Sequence, residues 1–196
     1  GCHFSIHGAV TPRSNSKNVN IEAPVSASFR FFSDCHYELG SPIGIVLGRC
    51  LDFKNEEDLS ILMELVSTAD VLIENYRPGI VKKLGIDYDT LKKIKPDLIY
   101  CSISGYGQSG PYKEKKVYDP LIQGTVGIPH AQNGEFPELI RTIIYDKVTG
   151  LTSAQAISAA LYQKANGEGG QYLPISMMES ALYYNWPDLM MNHTFE

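Results

Sequence analysis

The residues able to do chemistry in this chain gather in a few short stretches. The apolar run Val71-Leu72-Ile73 ends on Glu74-Asn75-Tyr76, and Arg77-Pro78-Gly79 turns the chain straight afterwards. An amide and a phenol at the carboxyl end of a strand can meet a nucleotide, because ligands of parallel sheets gather at that edge. A second apolar run ends in Ser104-Gly105-Tyr106-Gly107-Gln108-Ser109-Gly110-Pro111, whose glycines permit tight backbone in the same position. The formal charge is −5, from 17 Lys+Arg against 22 Asp+Glu, so an anionic ligand has to be held by a local cluster rather than by net charge. Lys82 and Lys83, and then Lys113, Lys115 and Lys116, are such clusters. Asp146 precedes a run of small and apolar residues, where an aspartate is, on its own, an ordinary helix cap.

Other chemistries find no support. His3, His7, His36, His130 and His193 are dispersed, with neither H-E-x-x-H nor H-x-x-E-H spacing, so no metal is expected. Gly105-Tyr106-Gly107 is too short and too late in its unit for a dinucleotide fingerprint, and no G-x-x-x-x-G-K-[ST] occurs. Cys2, Cys35, Cys50 and Cys101 show no C-x-x-C pairing, which suits reduced thiols. Apolar stretches such as 43–47 and 61–66 are far below the roughly 20 residues of a spanning helix. The mildly acidic charge offers nothing general to nucleic acid or anionic lipid. Gly1-Cys2-His3 does not resemble a secretory signal. The expectation is a chain that is not secreted, cytoplasmic or in an organelle matrix, with no membrane or nucleic-acid partner, and a fragment of something longer.

Positioning these residues requires alternating strands and helices. Residues 1–44 carry Ser, Asn, Pro and Gly with no sustained period and are expected to be divergent or irregular, leaving 45–196 as the folded part. A strand is expected near 49–53. Asn55 followed by Glu56, Glu57 and Asp58 opens a helix over about 56–68, with Leu59, Ile61, Leu62, Leu65 and Val66 at helical spacing. Strands near 70–74 and 97–103 flank a short helix over 88–94 that Lys95-Pro96 closes. Helices over 120–126 and 147–164 follow, the latter ending at Asn166-Gly167. A last strand over 172–176 contains Pro174, which would confine it to an edge or shorten it. The fold class is α/β, a Rossmann-like parallel sheet with flanking helices.

Four segments in this order carry a resemblance: Ala69 to Gly79, Leu98 to Tyr112, Tyr118-Asp119-Pro120-Leu121-Ile122-Gln123, and Asp146-Lys147-Val148-Thr149-Gly150. Together with Gly167 to Gln171 before a strand, the chain from about residue 45 resembles the class III CoA-transferases. That group includes formyl-CoA transferase, carnitine CoA-transferase and the related α-methylacyl-CoA racemases.

The resemblance implies an incomplete large domain of that fold and transfer of CoA from an acyl-CoA donor to a carboxylic acid. It makes Asp146 the nucleophile that passes through an aspartyl-CoA thioester, and it sets Tyr118 beside the acyl group. It places coenzyme A, arriving as acyl-CoA, against Leu51, Lys54, Asn75, Tyr76, Lys83 and Lys116. Racemases of the group use a His and an Asp on opposite faces of the α-carbon, and the matching His position here is Tyr118. The alternatives are a racemase-like enzyme or a truncated, non-catalytic relative that binds CoA or a full-length partner. As a partner the resemblance implies a second copy in an interlocked homodimer when the protein is full length.

Overall fold

The described residues of the computed structural model are 51–132 and 135–190, with the backbone of 4–7, 40–41 and 44–45. Thirteen elements follow one another among them: β1 (Phe4–His7), β2 (Gly40–Ser41), β3 (Gly44–Ile45), α1 (Glu56–Thr68), β4 (Val71–Glu74), α2 (Ile80–Lys83), α3 (Tyr88–Leu91), β5 (Ile99–Ser104), α4 (Asp119–Val126), α5 (Ile128–Ala131), α6 (Ile144–Ala165), β6 (Gln171–Ser176) and α7 (Met177–Met190).

Near-continuous apolar strands need cover on both faces, and the sheet obtains it. β4, β5 and β6 pair in parallel, and β1 adds antiparallel to β4, giving the order β1-β4-β5-β6. Leu72 and Tyr100 share one register row and pack with Leu62 and Val66 of α1 and Leu91 of α3. The alternate residues Val71 and Ile99 face the other way, onto Ala160 of α6. α6 lies so close that Cys101, a free buried thiol, hydrogen-bonds Ser153; burial pushes that thiol up to about 12. A third cluster, Ile122, Val126, Tyr145 and Ala181, joins α4, α6 and α7.

Several expectations hold. α1 begins where Asn55 accepts the Glu57 N–H at 3.0 Å. β4, β5, α4 and β6 fall within a residue or two of their expected spans, and β6, with Pro174, is the last strand in the order. Others are corrected. Residues 51–53 of the expected strand 49–53 are not a strand: the chain turns over 52–55, where the Asp52 carbonyl accepts from the Asn55 N–H at 2.8 Å, and Asp52 donates its own N–H to Asp58 Oδ2 at 2.8 Å. α3 stops at Leu91 and continues as tight turns to Lys95, just before the proline. α6 starts at Ile144, three residues earlier than expected. α7 was not foreseen at all. Of the segment 1–44, expected to be irregular, only three short strand pieces lie among the described residues.

Candidate active site

Chain direction fixes which edge of the sheet each candidate occupies. Only two residues separate α1 from β4, so the two run antiparallel and the start of α1, with Leu51 and Lys54 before it, lies at the carboxyl edge of the sheet. α6 likewise runs back along the sheet before β6. Its far end is fixed at the amino edge, where Lys164 Nζ sits 3.0 Å from Asp70 Oδ1 and 2.8 Å from Asp97 Oδ2. With 22 residues α6 is about 33 Å long, against about 20 Å for the six residues of β6. Its first turn, which carries Asp146, therefore overhangs the carboxyl edge.

At that edge Asn75 and Tyr76 follow β4 directly, Asn75 exposed and Tyr76 half-buried. Their turn is held from below. Glu74 is buried, its Oε2 accepts the Tyr76 N–H at 2.8 Å, and its Oε1 accepts the Ser102 hydroxyl. Gln108 Nε2 donates to Ser102 Oγ at 2.9 Å, which ties the glycine-bearing loop after β5 to the same carboxylate. Burial raises the Glu74 carboxyl, and the Ser102 and Tyr76 hydrogen bonds pull against that rise.

Gly105 brings the next elements in. A Cβ at this residue would stand 2.0 Å from Val117 Cγ1, so only glycine lets the returning chain lie on the end of β5. The Gly105 carbonyl also accepts the Met178 N–H at 2.9 Å, fixing the start of α7. Val117 leads into Tyr118, whose side chain is 72% exposed, and then into Asp119, which is 2% exposed.

Asp119 is the hinge of the site. Its Oδ2 accepts the N–H of Tyr145 at 2.6 Å and of Asp146 at 3.2 Å, and Gln123 Nε2 lies 2.5 Å from its Oδ1. α6 has Ile143 at its N-cap position with no side-chain cap of its own, so its open first turn is closed by a carboxylate from α4. Asp146 lies inside that first turn. The helix-cap reading of Asp146 is thereby corrected, because the cap comes from Asp119. The Asp146 carboxylate is half-buried and accepts no hydrogen bond from the described residues. Burial, and after it the charge of Asp119, hold it above the usual carboxylate range.

The expected residues thus fall into two groups. Asp146 and Tyr118 are joined through Asp119. Lys83 ends α2, and Lys54 and Lys116 lie in loops, all three exposed and with their ammonium groups unpaired among the described residues. Leu51 is different, because it packs half-buried against the core beneath α1. Sequence reasoning missed Asp119, Gln123, Glu74, Ser102 and Gln108. The Asp119-x-x-x-Gln123 spacing is a readable i,i+4 pair, but nothing local shows that it reaches residues 145 and 146. Among the described residues no group of acidic, His or Cys side chains is arranged to hold a metal, and no helix is long and apolar enough to cross a membrane.

Comparison with known proteins bears on this arrangement. The chain is 37% identical over 137 residues to an acetyl-CoA:oxalate CoA-transferase of Acetobacter aceti, covering 68% of this chain and 35% of that one. It is 33% identical over 132 residues to the human succinyl-CoA:glutarate CoA-transferase, covering 66% and 30%. A CAIB/BAIF family protein from Brucella suis superposes with a TM-score of 0.67 at 38% identity, over 74% of this chain and 40% of that one. The chain therefore spans about a third of the length of these curated relatives. The model of CoA-transferase family III matches residues 47–196, and the chain belongs to that family.

Proposed function

We propose that this chain carries the nucleophile and part of the CoA cleft of an acyl-CoA:carboxylate CoA-transferase. The observation that carries the reading is the free, half-buried Asp146 carboxylate held on the first turn of α6 above the carboxyl edge of the sheet. The named relatives act with oxalate or glutarate, which supports a small carboxylic acid as acceptor here. In the first step an Asp146 oxygen attacks the thioester carbonyl, giving a mixed anhydride and CoA thiolate. The thiolate attacks the Asp146 carbonyl, releasing the donor acid and leaving an aspartyl-CoA thioester. The acceptor carboxylate then displaces the thiolate to form a new anhydride, and the thiolate takes the acceptor acyl group, restoring Asp146. A carboxylate kept above its ordinary proton affinity is the more reactive nucleophile in the first step.

Tyr118, exposed one residue from Asp119, is proposed to border the acyl group. With a phenol at this position the two-base racemase reading lacks its second partner. Leu51, Lys54, Asn75, Tyr76, Lys83 and Lys116 are proposed to receive the CoA, the lysines as point charges for phosphates. The three lysines support that role as exposed cations unpaired among the described residues, while Leu51 supplies an apolar wall. We further propose that the full-length protein is an interlocked homodimer whose large domain includes 45–196. A groove of about 410 Å³ between α6 and α7, lined by Leu151, Tyr183 and Trp186 among others, offers apolar surface to a second copy.

Incubation with acetyl-CoA and succinyl-CoA, followed by mass measurement of the intact chain and its peptides, tests the reaction. An acyl or CoA adduct on the peptide carrying Asp146, absent from Asp146→Asn, is the expected result. CoA retained with no adduct from either donor would instead mark a non-catalytic relative.

A further inference from the structure

We infer that Asp119 is a positioning residue for Asp146, fixing from α4 both where the first turn of α6 begins and the electrostatic setting of the carboxylate that turn presents. The inference rests on the reading of Asp146 as nucleophile, and it adds a residue that neither the resemblance nor the comparisons assign.

The geometry separates Asp119 from an ordinary cap. A cap normally comes from the residue just before the helix, whereas Asp119 stands 26 residues ahead of Tyr145 in the chain. Its Oδ2 takes the two amide protons of Tyr145 and Asp146, so the backbone of the nucleophile itself is held by the interaction. Its Oδ1 is fixed by Gln123, whose Nε2 also lies 3.2 Å from the Ile140 carbonyl and 3.1 Å from the Thr142 carbonyl. Gln123 Oε1 accepts the Ile140 N–H at 2.8 Å. One amide on α4 thus clamps the strand of chain leading into α6 while it orients the carboxylate that caps it. Tyr145 locks the next direction inward, since its hydroxyl accepts from Asn185 Nδ2 of α7. The backbone of Asp146 is thus held through its own N–H and through the residue before it.

The charge of Asp119 acts on the same group. The charged residues on the helices packed here are Asp119 on α4, Lys147 and Lys164 on α6, and Glu179 and Asp188 on α7. Lys147 Nζ turns away to Thr142 Oγ1 at 2.9 Å, and Lys164 lies at the opposite end of α6. Asp119 is the one of these that raises the proton affinity of Asp146, after burial. The helix terminus makes the two carboxylates tolerable neighbours, because its free N–H groups offset the negative charge of Asp119.

Asp119→Asn separates the two effects, since Asn still caps but carries no charge. The titration of the Asp146 carboxyl, followed by carbon-13 NMR with Asp146→Asn used for assignment, is expected to move to lower pH in Asp119→Asn. In turnover assays with acetyl-CoA or succinyl-CoA as donor, the acid limb of kcat should move the same way, with KM for the donor unchanged. Asp119→Ala, which removes the cap as well, should lower kcat by about 100-fold, the scale of a misplaced reacting group. An unshifted Asp146 titration in Asp119→Asn overturns the inference, and so does full kcat in a folded Asp119→Ala. If Asp119→Ala does not fold, Asp119→Asn decides alone. Turnover by Asp146→Asn in the same assay would instead remove the nucleophile reading, while the titration would still report whether Asp119 sets that carboxyl.

Discussion

The two ends of α6 use the same residue types to opposite effect. At the amino edge of the sheet Lys164 sits between Asp70 and Asp97, and its hydrogen bond holds the Asp97 carboxyl down to about 2. Burial alone would pull Lys164 down, but the bonds to Asp97 and Asp70 outweigh it and leave it raised. At the carboxyl edge two carboxylates, Asp119 and Asp146, share a helix start with no cation paired to either among the described residues. One end satisfies its charges and anchors the helix. The other leaves a carboxylate under repulsion, which costs stability and is the setting the proposed nucleophile would use.

The strongest way to break this contrast is Asp146→Asn. Acyl exchange should be abolished while CoA binding, measured by calorimetry, stays largely intact. The raised proton affinity of Asp146 means that its ionisation at neutral pH opposes folding, so the variant should melt at the same temperature or higher. A clear drop in melting temperature would show that Asp146 serves the fold instead. Next in size is Gly105→Ala, whose Cβ must push Val117 aside and with it Tyr118 and Asp119. A loss of about 1–3 kcal/mol in chemical denaturation is expected, together with lower kcat.

Lys164→Met sharpens the other end. It should cost about 1–2 kcal/mol and leave kcat untouched. The pH dependence gives the sign: the Asp97 carboxyl is depressed from 3.8 to about 2, so its contribution is present above about pH 4 and lost as pH falls through 2. Lys164→Met should flatten that acid slope in urea unfolding measured from pH 5 to 2. The smallest effect is Lys83→Ala, a loss of CoA affinity of a few-fold that shrinks as salt is added.

How much of this could be read from the chain divides along the same line. α1, β4 and β5 were legible because Asn55, the apolar runs and the glycines after them signal locally. The start of α6 was misjudged by three residues because its cap arrives from α4, through a contact that no local pattern encodes. α7 was missed for another reason. Pro187 lies inside it, which reads in sequence as a helix breaker, and Tyr183, Tyr184 and Trp186 are exposed, so its sequence shows no polar outer face to set a period. Asn75, Tyr76 and Asp146 lie at the carboxyl edge of the sheet, yet Glu74, Ser102, Gln108, Asp119 and Gln123, which hold the backbone there, stood in the same segments with nothing local to show what they bind.

The clamp between α4 and α6 also decides where this protein can change length. Asp119 and Gln123 set the position of residues 140 to 146 directly, so the intervening chain is not needed as a ruler. Residues 135–139 are exposed throughout, and added residues between Phe136 and Pro137 would be absorbed outward while Asp146 stayed where it is. That surface is the place to graft a tag, a reporter or a foreign recognition loop without moving the start of α6.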